Sequence, residues 1–211
     1  MNYMEGYAMR TEIKFSGFGG QGIILSGILA GKAASLYDNK HATMTQSFGP
    51  EARGSACSAQ LVVSTEKVFY PYLTKPNILV SLSQDACDKF LPELTEDGIL
   101  VVDEDLVKIK SVRGNIKKFS IPATRFAEEL GKKMVANLVM LGFFSAVTDV
   151  ITPEALKKAI PGSVPERFLQ LNMKAFEKGY EYGMGKINIS NKGAKTAKKS
   201  RQAAVAVGNK M

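Results

Sequence analysis

Short apolar runs, cut by glycine, proline and polar turns, fill the first part of the chain, and from Pro122 onward apolar positions recur at helical spacing. The runs predict strands at 11–16, 41–45, 57–64, 77–82, 99–103 and 117–120. A short edge segment is expected at 68–72, with Pro71 keeping it out of a sheet centre. Between the strands, helices are expected at 23–34, ending near Tyr37-Asp38-Asn39, and at 85–94. The later part predicts helices at 123–130, 133–147, 153–159 and 165–182. Thr152 before Pro153, with Glu154 and Ala155 after it, is a helix opening, and Ser163 with Pro165 marks another.

Gly183 and Gly185 are expected to end the last helix. Beyond them Ser, Asn, Gly, Lys and Ala offer no packing face, so disorder is expected. Residues 1–10 read as a loose leader. Strand–helix–strand alternation makes this an α/β chain with a doubly wound, mostly parallel sheet. A C-terminal helical region and a disordered basic tail complete it. The division is one domain over 11–185 and a flexible tail over 186–211.

Composition narrows the function classes. A chain of 211 residues can bury a good core, and 45% hydrophobic content is ordinary for a globular protein. No segment reaches the roughly 18 apolar residues that a membrane span needs. The longest candidate, Val135 to Val147, is interrupted by Asn137 and Gly142 and reads as a buried helix. The start, MNYMEGYAMR, lacks a basic region followed by an apolar one, so no secretory signal is expected and the chain is placed in the cytoplasm. The net charge of +8 is concentrated in the tail, where Lys186, Lys192, Lys195, Lys198, Lys199, Arg201 and Lys210 meet no acidic residue. Without those seven, 21 basic residues face 20 acidic ones over 1–185. The body therefore shows no basic patch matching the tail, which argues against nucleic acid as a partner.

The candidate chemistry lies in two loops. Strand 11–16 runs into Gly17-Phe18-Gly19-Gly20-Gln21-Gly22 and then into a helix. Glycines allow positive φ and close approach, and the helix start beyond them offers unpaired N–H groups to an anion. Gly17, Gly19 and Gly22 fit the G-x-G-x-x-G spacing. The acidic residue that should end the second strand and hold a ribose is missing, since Gln46 and Ser47 stand there. That argues against NAD. Close strand–helix packing and docking of another ligand's phosphate both remain open for the turn.

The second loop is Gln46-Ser47-Phe48-Gly49-Pro50-Glu51-Ala52-Arg53-Gly54-Ser55. Gly49-Pro50 forces a turn, and Arg53 offers a planar fork to a carboxylate or phosphate. The plainer reading is a solvated turn with an ion pair between Glu51 and Arg53 worth about 0–1 kcal/mol. In a doubly wound sheet both loops open at the carboxyl edge, so they should face one crevice.

Other chemistry is poorly served. Two cysteines, Cys57 and Cys87, stand 30 residues apart and read as small apolar residues, and they cannot hold an iron–sulfur cluster alone. One histidine, His41, supports neither zinc nor a Ser–His–Asp arrangement. There is no P-loop, no GDG followed by NN of the thiamine type, and no pair of metal carboxylates on a helix face. An anion-ready turn without reactive groups points to a component of something larger.

Gly17-Phe18-Gly19-Gly20-Gln21-Gly22 and Ser47-Phe48-Gly49-Pro50-Glu51-Ala52-Arg53-Gly54 together resemble the gamma subunit of 2-oxoacid:ferredoxin oxidoreductases, in particular the 2-oxoglutarate and branched-chain type. Asn137-Leu138-Val139-Met140-Leu141-Gly142 and Leu171 to Tyr180 are similar to that family as well, so the resemblance spans roughly 11–182. It implies a Rossmann-like domain that is active only within a complex. Its partners would be an alpha subunit, a beta subunit binding thiamine diphosphate and, often, a small ferredoxin-like delta subunit with iron–sulfur clusters, with Mg also on a partner subunit. The complex would convert a 2-oxoacid, 2-oxoglutarate being favoured, and coenzyme A into acyl-CoA, CO2 and reduced ferredoxin. The residues implied for binding are Gly17, Gly19, Gly20, Gln21, Gly22, Ser47, Glu51 and Arg53; none is implied to be catalytic or to bind metal. The family does not require the basic tail. A stand-alone nucleotide-binding protein and an interaction module with a nucleic-acid-binding tail are the alternatives.

Overall fold

The fully buried strand Ile78–Ser81 and its neighbour Ile99–Asp103 lie in the middle of the sheet, where both faces are covered. The computed structural model describes residues 10–47 and 56–208. Its strands are β1 (Arg10–Phe18), β2 (His41–Ser47), β3 (Ala56–Ser64), β4 (Ile78–Ser81), β5 (Ile99–Asp103) and β6 (Lys117–Ile121). They form a single sheet in the order β2-β3-β1-β4-β5-β6. The β1–β4, β4–β5 and β5–β6 pairs are parallel, whereas β3 runs antiparallel to both of its neighbours. Only positions 48–55 separate β2 from β3, too few for the crossover that a parallel pair needs.

The helices are α1 (Ile23–Lys32, continued by a π-turn at Ala33–Tyr37), α2 (Gln84–Phe90), α3 (Ala123–Glu129), α4 (Ala136–Val147), α5 (Pro153–Ala159) and α6 (Leu169–Gly208). One face of the sheet, with Ile13, Phe15, Leu61 and Val80, packs on α1 and α4. The other, with Leu79, Leu100 and Val102, packs on Ala86, Cys87 and Phe90 of α2. Ser83 opens α2 by accepting from the Ala86 N–H at 3.3 Å. Thr152 opens α5 in the same way, ahead of Pro153, as the sequence predicts.

Helix α4 is apolar on all sides because it has no solvent face, and of its residues only Val147 escapes full burial. Phe144 meets Phe15 edge-on at 5.6 Å between ring centroids, which seats α4 on the sheet. On its other side α6 crosses so closely that a Cβ on Gly142 would overlap the Phe176 carbonyl, and one on Gly179 the Val139 carbonyl.

Three expectations are corrected. Residues 68–72 form no strand, and Phe69, Tyr70 and Tyr72 are exposed. Lys133–Val135 form a 3₁₀ turn ahead of α4 instead of its first turn. Helix α6 does not stop at Gly183 and Gly185, and its backbone runs on to Gly208. Gly183 serves packing, since a Cβ there would meet the Ala146 Cβ at 2.5 Å. A helical glycine weakens a helix by about 1 kcal/mol without ending it.

Candidate functional site

The polypeptide reverses direction twice at the carboxyl ends of β1 and β4. β1 leads into α1 on one face of the sheet and β4 into α2 on the other, which opens a crevice between the two turns. At the first turn Gly20 and Gly22 have φ of 94° and 71°. Gly22 is the N-cap of α1 in the left-handed region, where a side chain would be strained. Its carbonyl accepts from the Ser26 N–H at 2.9 Å and from Asn137 Nδ2 of α4 at 3.3 Å. A Cβ on Gly22 would lie 2.5 Å from that Asn137 amide, and one on Gly17 would lie 2.6 Å from Gln21 Oε1.

Gln21 ties the two turns together. The Phe18 N–H donates to its Oε1 at 2.7 Å, and its Nε2 donates to the Leu82 carbonyl at 2.8 Å. This carboxamide therefore takes a backbone donor that a bound anion would otherwise receive. The first-turn N–H groups of α1 remain, with no acidic residue beside them.

Two hollows meet at Gly20 and Met134. One, of about 270 Å³, is lined by Gln21, Leu82, Thr124, Lys133 and Ala136. The other, of about 200 Å³, has a mainly apolar wall that includes Leu25, Val164, Phe168 and Leu171. Lys133, largely exposed, puts a cation at the rim and lies 3.8 Å from Glu128. Thr124 is committed to Asp103, donating from both its N–H (2.9 Å) and its hydroxyl (2.6 Å). Burial raises the Asp103 carboxyl above the ordinary range, opposed by those Thr124 bonds.

The second loop starts from the same edge. Register places Ser47 opposite Ser58, Ser58 opposite Ser16 and Ser16 opposite Ser81, so four serines cross β2, β3, β1 and β4 in one row. Ser16 Oγ donates to the Val80 carbonyl at 3.2 Å and lies 3.1 Å from Ser81 Oγ. Ser58 Oγ is buried and has no partner among the described residues.

Of the sequence candidates, Gly17 and Gly19 to Gly22 with Gln21 form the turn. Ser47 stands exposed at the end of β2, with β3 between it and the turn. Glu51 and Arg53 lie outside the described residues. The strand order also explains the missing ribose carboxylate, because β2 is not the neighbour of β1 as the second strand of a dinucleotide fold would be. Asn137, Lys133, Met134 and Leu82 belong to the crevice and escape sequence reasoning. Only Asn137 carries a signal there, as a polar residue interrupting an apolar helix.

Backbone N–H groups at the start of α1 and two hollows face the crevice, and the chain's two thiols lie away from solvent. Cys57 and Cys87 are free and buried on opposite faces of the sheet. Burial pushes both thiols up, Cys87 to about 11, so thiolate is scarce at neutral pH. Among the described residues no group of three or more His, Cys, Asp or Glu side chains is placed to hold a metal. Among them also, no helix is long and apolar enough to cross a membrane.

Comparison with known proteins matches the architecture. The 2-oxoglutarate synthase subunit KorC of Methanocaldococcus jannaschii is 50% identical over 175 residues, covering 82% of this chain and 94% of its own. The subunit of the same name from Methanothermobacter marburgensis is 46% identical over 179 residues, covering 82% and 96%. The crystal structure of a keto/oxoacid ferredoxin oxidoreductase gamma subunit from Geobacter sulfurreducens superposes with a TM-score of 0.75 at 41% identity, covering 84% of this chain and 98% of that one. The family model of pyruvate ferredoxin/flavodoxin oxidoreductases matches residues 12–182, from the first strand to the helix that crosses α4, and the chain belongs to that family.

Proposed function

We propose that this chain is the gamma subunit of a multisubunit 2-oxoacid:ferredoxin oxidoreductase of the cytoplasm, with 2-oxoglutarate as the acid. The complex would join the decarboxylated acid to coenzyme A, giving acyl-CoA, CO2 and reduced ferredoxin. The observation that carries this reading is the likeness to 2-oxoglutarate synthase subunits over nearly the whole of their length. Cys57 and Cys87, buried on opposite faces, do not suit an iron–sulfur cluster, and no described carboxylate cluster suits Mg. On this reading thiamine diphosphate, Mg and the clusters belong to partner subunits, alpha, beta and, where the complex has one, delta, and the thiamine supplies the decarboxylation chemistry. The isolated chain is expected to fold and to be inert.

Within the complex, the glycine turn (Gly17, Gly19, Gly20, Gln21 and Gly22) and the loop with Ser47, Glu51 and Arg53 serve one edge. They grip a partner subunit beside its active site or hold an anionic part of coenzyme A. The first is favoured, because Gln21 already fills part of the turn's donor set and the hollows are small and largely apolar. Purifying the native complex and assaying 2-oxoglutarate, pyruvate and branched-chain 2-oxoacids tests the reading. Coenzyme A-dependent ferredoxin reduction that prefers 2-oxoglutarate is expected. A chain that co-purifies with no such subunits, or that reduces ferredoxin alone, overturns it.

A further inference from the structure

The two edges of the sheet are built differently. At one edge β6 places Lys117 and Lys118 in solvent, the kind of charge that keeps another strand away. At the other edge β2, with the sequence HATMTQS, carries no lysine, arginine, aspartate or glutamate. Its outer side pairs with nothing among the described residues. A long, uncharged edge strand is a template for another strand.

The surroundings of β2 suit such a visitor. A groove of about 450 Å³ runs between the strand's start, Asn39 to Thr43, and the segment Lys67-Val68-Phe69. Phe69 is 90% exposed, an unusual position for a phenylalanine. Leu36 and Tyr37 extend exposed apolar surface from the end of α1 toward the same strand. The groove's free charge is positive. Lys40 is occupied by Asp38 at 2.9 Å and by the Val150 carbonyl at 2.6 Å, but Lys67 faces solvent and no carboxylate lines the groove.

We propose that the outer edge of β2 is a docking strand for a partner subunit. It takes an extended segment that sets a carboxylate beside Lys67 and an apolar side chain on Phe69. Backbone pairing supplies affinity and these two residues supply choice of partner. Charge argues for a different chain over a second copy, since another HATMTQS strand would bring no carboxylate to the groove. The inference rests on the subunit reading above.

The test uses the full complex, co-expressed with tagged partner subunits, and measures how much of this chain is retained. Phe69→Ala with Lys67→Glu should lower retention about tenfold or more while the isolated variant keeps its melting temperature, because both side chains are exposed. Thr43→Lys, which gives this edge the charge that β6 has, should do the same. Wild-type retention by both variants overturns the docking strand and leaves the subunit reading standing. A wild-type chain that fails to assemble overturns both. If the isolated chain is a dimer in solution and Phe69→Ala dissolves it, the edge belongs to a second copy and the proposal is overturned.

Discussion

Gln21 and Leu82, 61 positions apart in the chain, are joined by a 2.8 Å hydrogen bond that closes the base of the crevice between β1 and β4. The same side chain accepts from the Phe18 N–H, so one carboxamide holds the turn's shape and its position. Gln21→Ala would strand two partly buried backbone groups. It should lower stability by about 1–3 kcal/mol in urea denaturation. A loss under about 0.5 kcal/mol would mean that water replaces the amide without cost.

Arg53→Ala distinguishes the two roles left open for the carboxyl edge. Removal of the guanidinium fork should weaken subunit assembly if the edge grips a partner. If it holds coenzyme A, assembly should survive and the apparent KM for coenzyme A should rise. Normal assembly, turnover and coenzyme A dependence together would exclude both.

Gly142→Ala and Gly179→Ala should each cost about 3 kcal/mol or more, since the new methyl group would meet backbone and not a side chain able to turn aside. Thermal and urea unfolding of the two variants measure this. A cost below about 1 kcal/mol would show that α6 can slide away from α4 freely.

Asp38 predicts a pH dependence. Burial alone would raise its carboxyl, but hydrogen bonds from Lys40 and from the hydroxyl and N–H of Thr152 outweigh it and hold the group below the ordinary range. A depressed folded-state pKa contributes stability above the unfolded value of about 3.9, and that stability is lost as pH falls through the folded value. Asp38→Asn should therefore be less stable than wild type at pH 7, with the gap closing as pH falls below the ordinary carboxylate range. A gap that does not change with pH would remove the ionised carboxylate from the account.

A chain ending at Gly185 should keep its melting temperature within about 2 °C. The described packing of α6 on α4 reaches Gly183, while a Cβ on Gly185 would meet nothing within 4 Å. Scanning calorimetry of the full and shortened chains decides this, and a drop of about 5 °C or more would show that the removed residues pack.

Much of the α/β order is legible because strand and helix periods differ and turn residues punctuate them. Gly17 to Gly22 are legible as a turn for the same reason, since glycine spacing is local information. Gln21 as a tether is not, because its acceptor Leu82 comes close only through the β1–β4 pairing. The place of β3 between β1 and β2 is equally hidden, since an apolar strand reads alike in either direction. The continuation through Gly183 depends on Ala146 and Phe143, residues that local composition does not connect to it.

The pairing of Ser47 with Ser58, and of Ser58 with Ser16, has a consequence for how this protein can change over time. The eight positions between Ser47 and Ala56 hang from two posts anchored in the sheet. Residues can be gained or lost between the posts without slipping the strands, a slip that would turn Met44 from the Gly27 side of β2 to the opposite side. The length of this loop is thereby uncoupled from the register of the strands that carry it.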